Sequence, residues 1–444
     1  MNTIHRTALA LILAGAMSCV AYGSGPYQGP PNAPPDYRGG SGYPDSGYDD
    51  YRHSPDVDVG FFYQELSPYG DWVYTHEYGW TWLPRNVRVG WRPYYYGQWA
   101  PSDYGWLWVS NEPFGWATYH FGRWALHPRF GWIWVPGRTW GPAWVSWQSG
   151  AGYIGWAPLP PEIGFEFGVG LRLGNFNLSV VIQPHAYTFV QERVFLERDP
   201  YRWAAPSARN VTIINNTTNI TNYTVIEQRV VNRGIDVQRV ERATGRRVKP
   251  LRVTETASGK QEAVRGDQVL IYRAPKTRLD TVRIDENAAP RRRQPSPASM
   301  PGQSEPAAQE DLQRASGDSD LQVAPRVKAA PPMTSEQFER KKQKEQSELE
   351  AFQRTERQRL DQIQRQEREK PQPSADAAAI SKRHAEETKA LEEELNRSKQ
   401  HLNARLEVER KAAQATAPGK SQAADKKGDQ KKGEEKNDNS KGKK

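Results

Sequence analysis

The stretch YGDWVYTHEYGWTWLP, residues 69–84, contains the pattern that decides the fold of this chain. The pattern occurs three more times, as YGQWAPSDYGWLWVS (96–110), FGRWALHPRFGWIWVP (121–136) and WVSWQSGAGYIGWAPLP (144–160). Each copy contains a Gly-Trp pair, beginning at Gly79, Gly105, Gly131 or Gly155, with spacings of 26, 26 and 24 residues. A regular period of this length indicates one repeated unit. The fourth copy keeps Gly-Trp but loses the second tryptophan of Trp-x-Trp, as expected of an atypical terminal unit.

Each copy is typical of a β-hairpin. In the second copy a first strand ends near Trp99, residues 101–103 supply turn-forming side chains, and the Gly-Trp pair opens a second strand. Side chains two residues apart share one face of a strand, so Trp106 and Trp108 should point the same way. The glycine before each pair is expected to leave room for a neighbouring ring. The segment 61–161 is therefore predicted to form about eight short strands, in an antiparallel sheet array or a small barrel-like body.

Fifteen of the sixteen tryptophans lie between Trp72 and Trp156. A buried aromatic side chain removes about 150–250 Å² from water, so these rings are predicted to form the core in place of aliphatic side chains. The alternative is a partly exposed aromatic surface that stacks on sugars or peptidoglycan strands. Three consecutive tyrosines in a strand must face both of its sides, so some of their rings should be exposed to solvent. The candidates for this ligand surface are Tyr94, Tyr95, Tyr96 and Trp99.

The distribution of charge argues against nucleic acid as a partner. Residues 1–160 carry nine Arg against eleven acids, a net of −2, so the total of +9 leaves +11 for 161–444, and the first lysine is Lys249. Stacking on single-stranded nucleic acid also requires a basic groove, but the aromatic segment has six Arg, five acids and no Lys. The basic residues between Arg229 and Arg252 are expected to form a solvated face, with an acidic envelope polymer as the alternative partner.

The chain lacks the sequence signatures of common enzymes. Neither a Gly-x-Ser-x-Gly nor a phosphate-loop pattern is present. Four histidines lack the paired spacing of metal ligands: His76, His120, His127 and His185. Asp103 and Glu112 are the candidate carboxylates for glycoside hydrolysis, but neither recurs in the other copies. The sequence therefore predicts a protein that is not an enzyme, with no metal and no cofactor, and a glycoside hydrolase remains a further alternative.

The N-terminus predicts export. A short basic start precedes an apolar run over 8–17, which fits a secretory signal and is shorter than the ~20 residues of a membrane span. Two processing routes compete: ordinary cleavage before Ser24, or lipidation of Cys19, the only cysteine. Membrane attachment is expected only if Cys19 is lipidated. The expected location is the periplasm, the cell envelope or the medium, and the body after the signal has no disulfide.

The run from Glu65 to Pro161 resembles a tryptophan-rich family of secreted bacterial proteins that is catalogued only as a domain of unknown function. The blocks EPFGWATY (112–119) and WGPAWVSW (140–147) carry the resemblance most specifically. Residues 94–99 and 119–124 are also similar to the YXWGXW-type repeats of other proteins. The resemblance implies bacterial export and an envelope setting. It implies no activity and no catalytic residue.

The segments that follow the repeats are more varied. Alternating apolar residues over 163–182 predict a hairpin that turns at residues 174–175. The Asn-Thr-rich residues 210–226 fit either an extended ladder or a loop of Asn-backed turns. Asp236 and Gly245 bracket a short predicted helix.

The C-terminal part is predicted to be helical. Thr334 begins a capping-box signature, and a first helix breaks at Pro371. The second helix carries a thin apolar seam of Leu391, Leu395, Leu402 and Leu406. This seam fits a weak helical hairpin or a coiled coil through which the chain would self-associate, and a solitary charged helix is the alternative.

Together these patterns predict a mainly β fold of antiparallel hairpin repeats of about 26 residues, followed by a disordered linker and a charged α-helical or coiled-coil C-terminal region. The expected segments are a signal peptide (1–23), a Gly/Pro/Tyr-rich disordered linker (24–60), the Trp-rich hairpin domain (61–161), a β-rich region with one short helix (162–275), a Pro/Ala/Gln-rich disordered linker (276–333), charged helices (334–413) and a Lys-rich disordered tail (414–444). The expected function is that of an exported cell-envelope protein acting as a non-catalytic structural and interaction module. The alternative is a module that binds glycan or peptidoglycan through exposed aromatic residues.

Overall fold

The computed structural model describes residues 60–166, 170–172, 182–227, 229–257, 260–275, 321–324, 333–370 and 374–415. Several predicted features lie outside the described residues: the signal peptide with Cys19, the linker before residue 60, most of the second linker and the tail from residue 416. No helix in the described ranges is long and apolar enough to cross a membrane.

The structure has mainly antiparallel sheets in its N-terminal part and long helices in its C-terminal part. The helices are α1 (Gly60–Leu66), α2 (Gly115–Thr118), α3 (Asn210–Ile214), α4 (Val237–Thr244), α5 (Ser335–Glu369) and α6 (Ser374–Ala415). The strands of the repeats are β1 (Gly70–Thr75), β2 (Gly79–Pro84), β3 (Gly97–Ser102), β4 (Gly105–Ser110), β5 (Arg123–His127), β6 (Gly131–Val135), β7 (Val145–Gly150) and β8 (Tyr153–Pro158). The later strands are β9 (Gly164–Glu166), β10 (Gly170–Arg172), β11 (Thr188–Gln191), β12 (Thr218–Asn219), β13 (Tyr223–Ile226), β14 (Arg229–Asn232), β15 (Arg252–Glu255), β16 (Ala263–Arg265) and β17 (Gln268–Ile271).

Strands β1 to β8 form four antiparallel hairpins, which confirms the predicted hairpin units. In each hairpin one tryptophan of the first strand pairs directly with one of the second: Trp72 with Trp82, Trp99 with Trp108, Trp124 with Trp134, and Trp147 with Trp156. We call these eight residues the inner tryptophans, and we call Trp80, Trp106 and Trp132 the outer tryptophans. Directly opposed rings pack together, as in the edge-to-face pair of Trp99 and Trp108, whose centroids are 5.2 Å apart.

The register corrects the alignment of the fourth copy. Gly-Trp spacing equates Trp156 with the outer tryptophans, but Trp156 pairs with Trp147 and is therefore an inner tryptophan. Ile154 stands at the outer position of this hairpin. The prediction that the fourth copy loses its second tryptophan is wrong, because the ring that it lacks is the first.

The four hairpins do not stack in chain order. The first and third share a sheet of order β1-β2-β6-β5, the second joins β13-β14-β4-β3, and the fourth joins β11-β8-β7-β12. Two smaller sheets have the orders β10-β9 and β15-β17-β16. An open strand edge is a site of unwanted pairing, and strands from beyond the repeats cover several of these edges. The folded body therefore includes residues 182–232 as well as the repeats.

Two kinds of glycine serve the hairpins in different ways. Gly79, before an outer tryptophan, has a φ of +71° with nothing within 4 Å of an added Cβ, so it closes the turn in the left-handed region that favours glycine. Gly70, two residues before Trp72, lies where an added Cβ would overlap the Trp82 ring. An added Cβ would meet the Asn232 backbone at Gly105, the His401 ring at Gly131 and the Phe189 ring at Gly155, so the predicted room for a neighbouring ring or backbone is confirmed at these three glycines. The glycine of the (Tyr/Phe)-Gly-x-Trp motif leaves room for a ring as well.

The inner tryptophans form an aromatic core, as predicted. Thirteen of the fifteen tryptophans in the repeats are buried, and the other two, Trp80 and Trp132, are partly exposed. The sheet β1-β2-β6-β5 turns its alternate side chains to the opposite face, where they pack on Ala404 and Val408 of α6: Val73, Leu83, Ala125 and Ile133. Helix α6 is therefore an integral layer of the fold.

The region after the repeats departs from prediction at two places. Strand β9 pairs with β10, so residues 163–173 do not form the single strand that was predicted. The predicted turn at 174–175 lies outside the described residues. Residues 210–214 form α3, whereas the rest of the Asn-Thr segment contributes β12 and β13. The short helix α4 is confirmed, since Asp236 accepts the backbone N–H of Arg239 at 2.8 Å.

Helices α5 and α6 form an antiparallel hairpin. Arg357 pairs with Glu392 at 2.7 Å near one end and Arg405 pairs with Glu345 at 2.9 Å towards the other. Thr334 completes the predicted capping box with Gln337. The four seam leucines are buried inside the chain, against Leu349, Leu360 and Ala208. Self-association of the chain stays a prediction, but the apolar seam proposed to drive it is already packed against other residues of the same molecule.

Residues 321–324 lie along the free edge of β1. Val323 bridges to Val73, the Tyr74 N–H donates to the Gln322 carbonyl at 3.1 Å, and the Ala324 N–H donates to the Trp72 carbonyl at 3.0 Å. These four residues belong to the segment predicted as a linker, and here they cover a strand edge.

Candidate functional site: a cleft between the body and the helices

A cleft of about 690 Å³ lies between the helical hairpin and the repeats. Its body wall consists of the loop between β2 and β3, the hairpin β5–β6, and residues near 160 and 185. Its helix wall consists of Leu349 and Phe352 of α5 and of residues between Glu394 and Arg405 of α6. This volume falls within the roughly 300–1,000 Å³ that ligand pockets occupy.

Aromatic rings line the body wall. Trp91 and Trp124 pack edge to face with centroids 5.3 Å apart, and the Trp91 indole N–H donates to Glu112 at 2.6 Å. The outer Trp132 is partly exposed and borders the cleft. Trp106 occupies the same place in the second hairpin, but it is buried and donates to the Ile235 carbonyl at 2.7 Å. The cleft thus has an aromatic floor in which Trp132 is the partly exposed tryptophan.

Specific contacts hold the helices over this floor. The ring of Phe352 lies against Gly90, where a Cβ would overlap it. Arg92 pairs with Glu394 at 3.0 Å, and Arg129 pairs with Glu407 at 3.0 Å. Arg92 also donates to the carbonyl oxygens of His185 and Tyr187, so it ties three segments of the chain together.

The cleft contains more cations than anions. Four arginines line it, namely Arg88, Arg92, Arg397 and Arg405, against the carboxylates of Glu162 and Glu394. Glu162 accepts a hydrogen bond from the Tyr78 hydroxyl at 2.6 Å. Arg92 and Arg405 have carboxylate partners. Arg88 and Arg397 make no ion pair within the described residues. Arg88 lies over the rings of Tyr96 and Tyr201, so the charge of Arg397 is the one available to a ligand.

Three histidines also line the cleft and are neutral at pH 7. Burial lowers the pKa of His127, His185 and His401 from 6.5 to about 4, and neighbouring arginines add to the shift. His401 donates from Nε2 to the Pro128 carbonyl at 2.9 Å. His127 accepts at Nδ1 from the Arg129 N–H at 3.1 Å. The positive charge of the cleft at neutral pH therefore comes from arginine alone.

Residues 63–163 match the model of a family of unknown function, DUF6600. No curated protein and no solved structure matches the chain. The matched segment covers the four hairpins and the aromatic floor of the cleft. The helix wall lies outside it.

The residues predicted to form an aromatic ligand surface have separate environments. Tyr94 and Trp99 are buried in the core, 1% and 3% exposed, and lie out of reach of a ligand. Tyr95 and Tyr96 are partly exposed. Tyr95 lies under the Arg92 guanidinium at 5.2 Å, and Tyr96 packs on Tyr201 with centroids 4.7 Å apart. Trp99 is removed from the surface because Trp147 of β7 and Trp156 of β8 pack on it. Tyr94 is removed because the rings of Trp99, Trp108 and Tyr119 surround it.

The two carboxylates considered for glycoside hydrolysis are far apart. Asp103 lies in the turn that joins β3 to β4, and Glu112 follows the other end of β4. Six residues of strand span about 20 Å, well beyond the ~5–10 Å that glycosidase carboxylates require. Glu112 accepts hydrogen bonds from Trp91 and Tyr119. Burial raises the pKa of Glu112 to about 7, and those hydrogen bonds limit the rise.

The other histidines do not extend the cleft. His120 is buried, its Nε2 lies 2.6 Å from the Glu262 carboxylate, and its ring stacks on Trp140. His76 is exposed beyond the end of β1. Among the described residues no group of three His, Cys, Asp or Glu side chains is arranged to hold a metal ion.

The residues that matter most in the cleft were not predicted from the sequence. Trp132 is one of three outer tryptophans, and Arg397 and His401 lie in a charged helix. The repeat was the available signal for Trp132, because it identifies the outer tryptophan of each hairpin. The repeat gives no information about the helix that faces this tryptophan across the cleft.

Proposed function

We propose that this protein is an exported component of the bacterial cell envelope that acts as a non-catalytic structural and interaction module. Its interaction site is the cleft between the repeats and the helical hairpin. The observation that carries this proposal is the composition of the cleft, which is lined both by a partly exposed indole, Trp132, and by a guanidinium without an ion pair among the described residues, Arg397. Apolar rings with a few placed polar groups are typical of binding sites.

The interlocked core favours a rigid module. Inner tryptophan rings pack edge to face, and several of their indole N–H groups are fixed by backbone carbonyls, as for Trp82 with Leu66 and Trp134 with Phe121. Such packing holds the floor of the cleft in one geometry. A preformed site loses little entropy on binding.

The alternative within this proposal is that the ligand is glycan or peptidoglycan. The exposed face of Trp132 favours it, because the C–H face of a sugar ring is apolar and fits an aromatic face. The chain would then hold an envelope polymer in the cleft without cleaving it.

Titration with soluble envelope polymers tests the binding site. We expect a saturable change in tryptophan fluorescence with at least one peptidoglycan fragment or polysaccharide. Trp132→Leu should weaken binding about tenfold, equivalent to ~1.4 kcal/mol. The matched control is Trp203→Leu, because Trp203 is 48% exposed and lies outside the cleft. Equal loss in both variants, or no response to any polymer, contradicts the proposal.

Cell fractionation tests export and its route. A chain cleaved before Ser24 should leave the cells by osmotic or lysozyme release, whereas a chain lipidated at Cys19 should require detergent. Cys19→Ser should alter the fractionation only in the lipidated case. Recovery of the wild-type chain in the cytoplasm contradicts export.

A further inference from the structure

We infer that the ligand of the cleft is an acidic glycan, whose sugar ring stacks on Trp132 and whose carboxylate pairs with Arg397. This inference rests on the proposed function and names the chemical class of its ligand. It is carried by three features of the cleft: the unpaired cation, the surrounding neutral groups and the aromatic face.

Arg397 differs from the other arginines of the helix wall. Arg405 pairs with Glu345 at 2.9 Å, and on the body wall Arg92 pairs with Glu394 at 3.0 Å. Arg397 is partly buried and makes no ion pair with any residue in the ranges that the structure describes. A partly desolvated guanidinium is stabilised by a carboxylate, which it can bind through two parallel hydrogen bonds.

The neighbours of Arg397 leave its charge uncompensated. Burial lowers the pKa of both His185 and His401, and the charge of Arg397 adds to each shift, so both rings stay neutral at pH 7. Arg92 acts on His185 in the same direction. The nearest cleft carboxylates are engaged, Glu394 by Arg92 and Glu162 by Tyr78. An anionic ligand would therefore complete the charge balance of this end of the cleft.

The aromatic face favours a glycan over a peptide. Trp132 is partly exposed and lines the same cleft as Arg397. A carboxylated sugar presents both an apolar ring face and an anion, so it complements the two groups together.

A matched pair of ligands separates charge from shape. The probes are an oligomer of six uronic acids and the same oligomer after its carboxyl groups have been reduced to alcohols. We expect the acidic oligomer to bind the full chain at least tenfold more tightly in calorimetry. Its affinity should fall as NaCl rises from 50 to 300 mM, because salt screens the ion pair.

Matched variants locate the charge. Arg397→Gln should weaken binding of the acidic oligomer about 10- to 100-fold, as expected for the loss of a charge-assisted pair. Arg397→Lys should retain part of the affinity. Lys399→Gln removes the same charge two residues along the helix from an exposed position and should leave binding unchanged. Urea unfolding of each variant shows whether the fold is intact.

The possible outcomes distinguish this inference from the proposed function. If the neutral oligomer binds as tightly as the acidic one, the cleft binds glycan without selecting for a negative charge. This result overturns the inference and leaves the proposed function in place. If Lys399→Gln weakens binding as much as Arg397→Gln, the acidic oligomer is held by the general positive charge of the helix and not by a specific pair with Arg397, and the inference is overturned. If poly-glutamate alone binds, the ligand is an acidic polypeptide and the inference fails. If no envelope polymer of any kind binds, the proposed function fails with it.

Discussion

Replacing Gly70 with alanine tests the interlock between glycine and tryptophan in the first hairpin. The added methyl group would lie more than 1 Å inside the 3.4 Å limit of ordinary contact with the Trp82 ring and the Leu83 carbonyl. Trp82 cannot move aside, because it is fully buried and its indole N–H donates to the Leu66 carbonyl at 3.1 Å. Overpacking of this kind lowers the free energy of unfolding by roughly 1–3 kcal/mol. We expect the upper end, about 3 kcal/mol.

A second substitution should relieve the part of the strain that the Trp82 ring causes, while the contact with the Leu83 carbonyl remains. Trp82→Phe removes the ring atoms that an added methyl group would meet, Cε2 and Nε1. Alone it should destabilise the chain by about 2 kcal/mol, from one lost hydrogen bond and less buried ring area. The double variant Gly70→Ala/Trp82→Phe should lose at least about 1 kcal/mol less than the sum of the single effects, because the methyl group fills vacated space.

Urea unfolding at 25 °C, followed by tryptophan fluorescence and by circular dichroism, measures these differences. Gly79→Ala is the matched control, since an added Cβ there meets nothing within 4 Å and only the positive φ is penalised, by about 1–2 kcal/mol. The reasoning is refuted if Gly70→Ala destabilises no more than this control. It is refuted equally if the effects of Gly70→Ala and Trp82→Phe are additive.

Three further predictions concern the helices and the titrating groups. Leu395→Ala should lower the free energy of unfolding by about 2–4 kcal/mol in urea melts, because Leu395 is 1% exposed in the helix–body contact. Acidification from pH 6.5 towards 4 should destabilise the chain, as measured by thermal melts at a series of pH values. In the folded chain the pKa values of His127 and His401 are lowered to about 4. The unfolded chain therefore binds more protons in this window, and the stabilising contribution of the two histidines is lost as pH falls. His401→Gln should flatten this dependence. Glu112 acts in the opposite direction, because its pKa in the folded chain, about 7, exceeds the ordinary 4.5. The stability that this group contributes is lost as pH rises from 4.5 through 7, by up to about 1.4 kcal/mol per pH unit. Glu112→Gln should abolish this part of the pH dependence.

Much of the secondary structure could be predicted because it depends on short-range chemistry. The first hairpin follows from turn residues between Thr75 and Gly79 and from tryptophans two residues apart. The start of α5 follows from Thr334 and Gln337, which satisfy each other's backbone groups within one turn. The single strand predicted over 163–173 departs from the structure because glycines at several positions permit more than one pairing, and β9 pairs with β10 within this segment.

The exposure of individual rings could not be predicted, because equivalent positions of the repeat have different surroundings. Trp106 is buried through its hydrogen bond to Ile235, a residue 129 positions away. Trp132 has the same place in its hairpin and borders the cleft. The tyrosines at 94–96 illustrate the same limit, since a strand-like run gave no indication that Tyr94 would be buried against Trp99, Trp108 and Tyr119.

The period of the tryptophans was sufficient to establish four hairpins, their turns and the aromatic character of the core, because these features arise between residues that are close in the chain. The order of the hairpins in the sheets, the docking of α6 on the first and third hairpins, and the placement of Trp132 and Arg397 on one cleft arose only in the folded molecule. Burial and charge balance depend on everything that surrounds a side chain, and here the two walls of the site come from segments that are far apart in the chain.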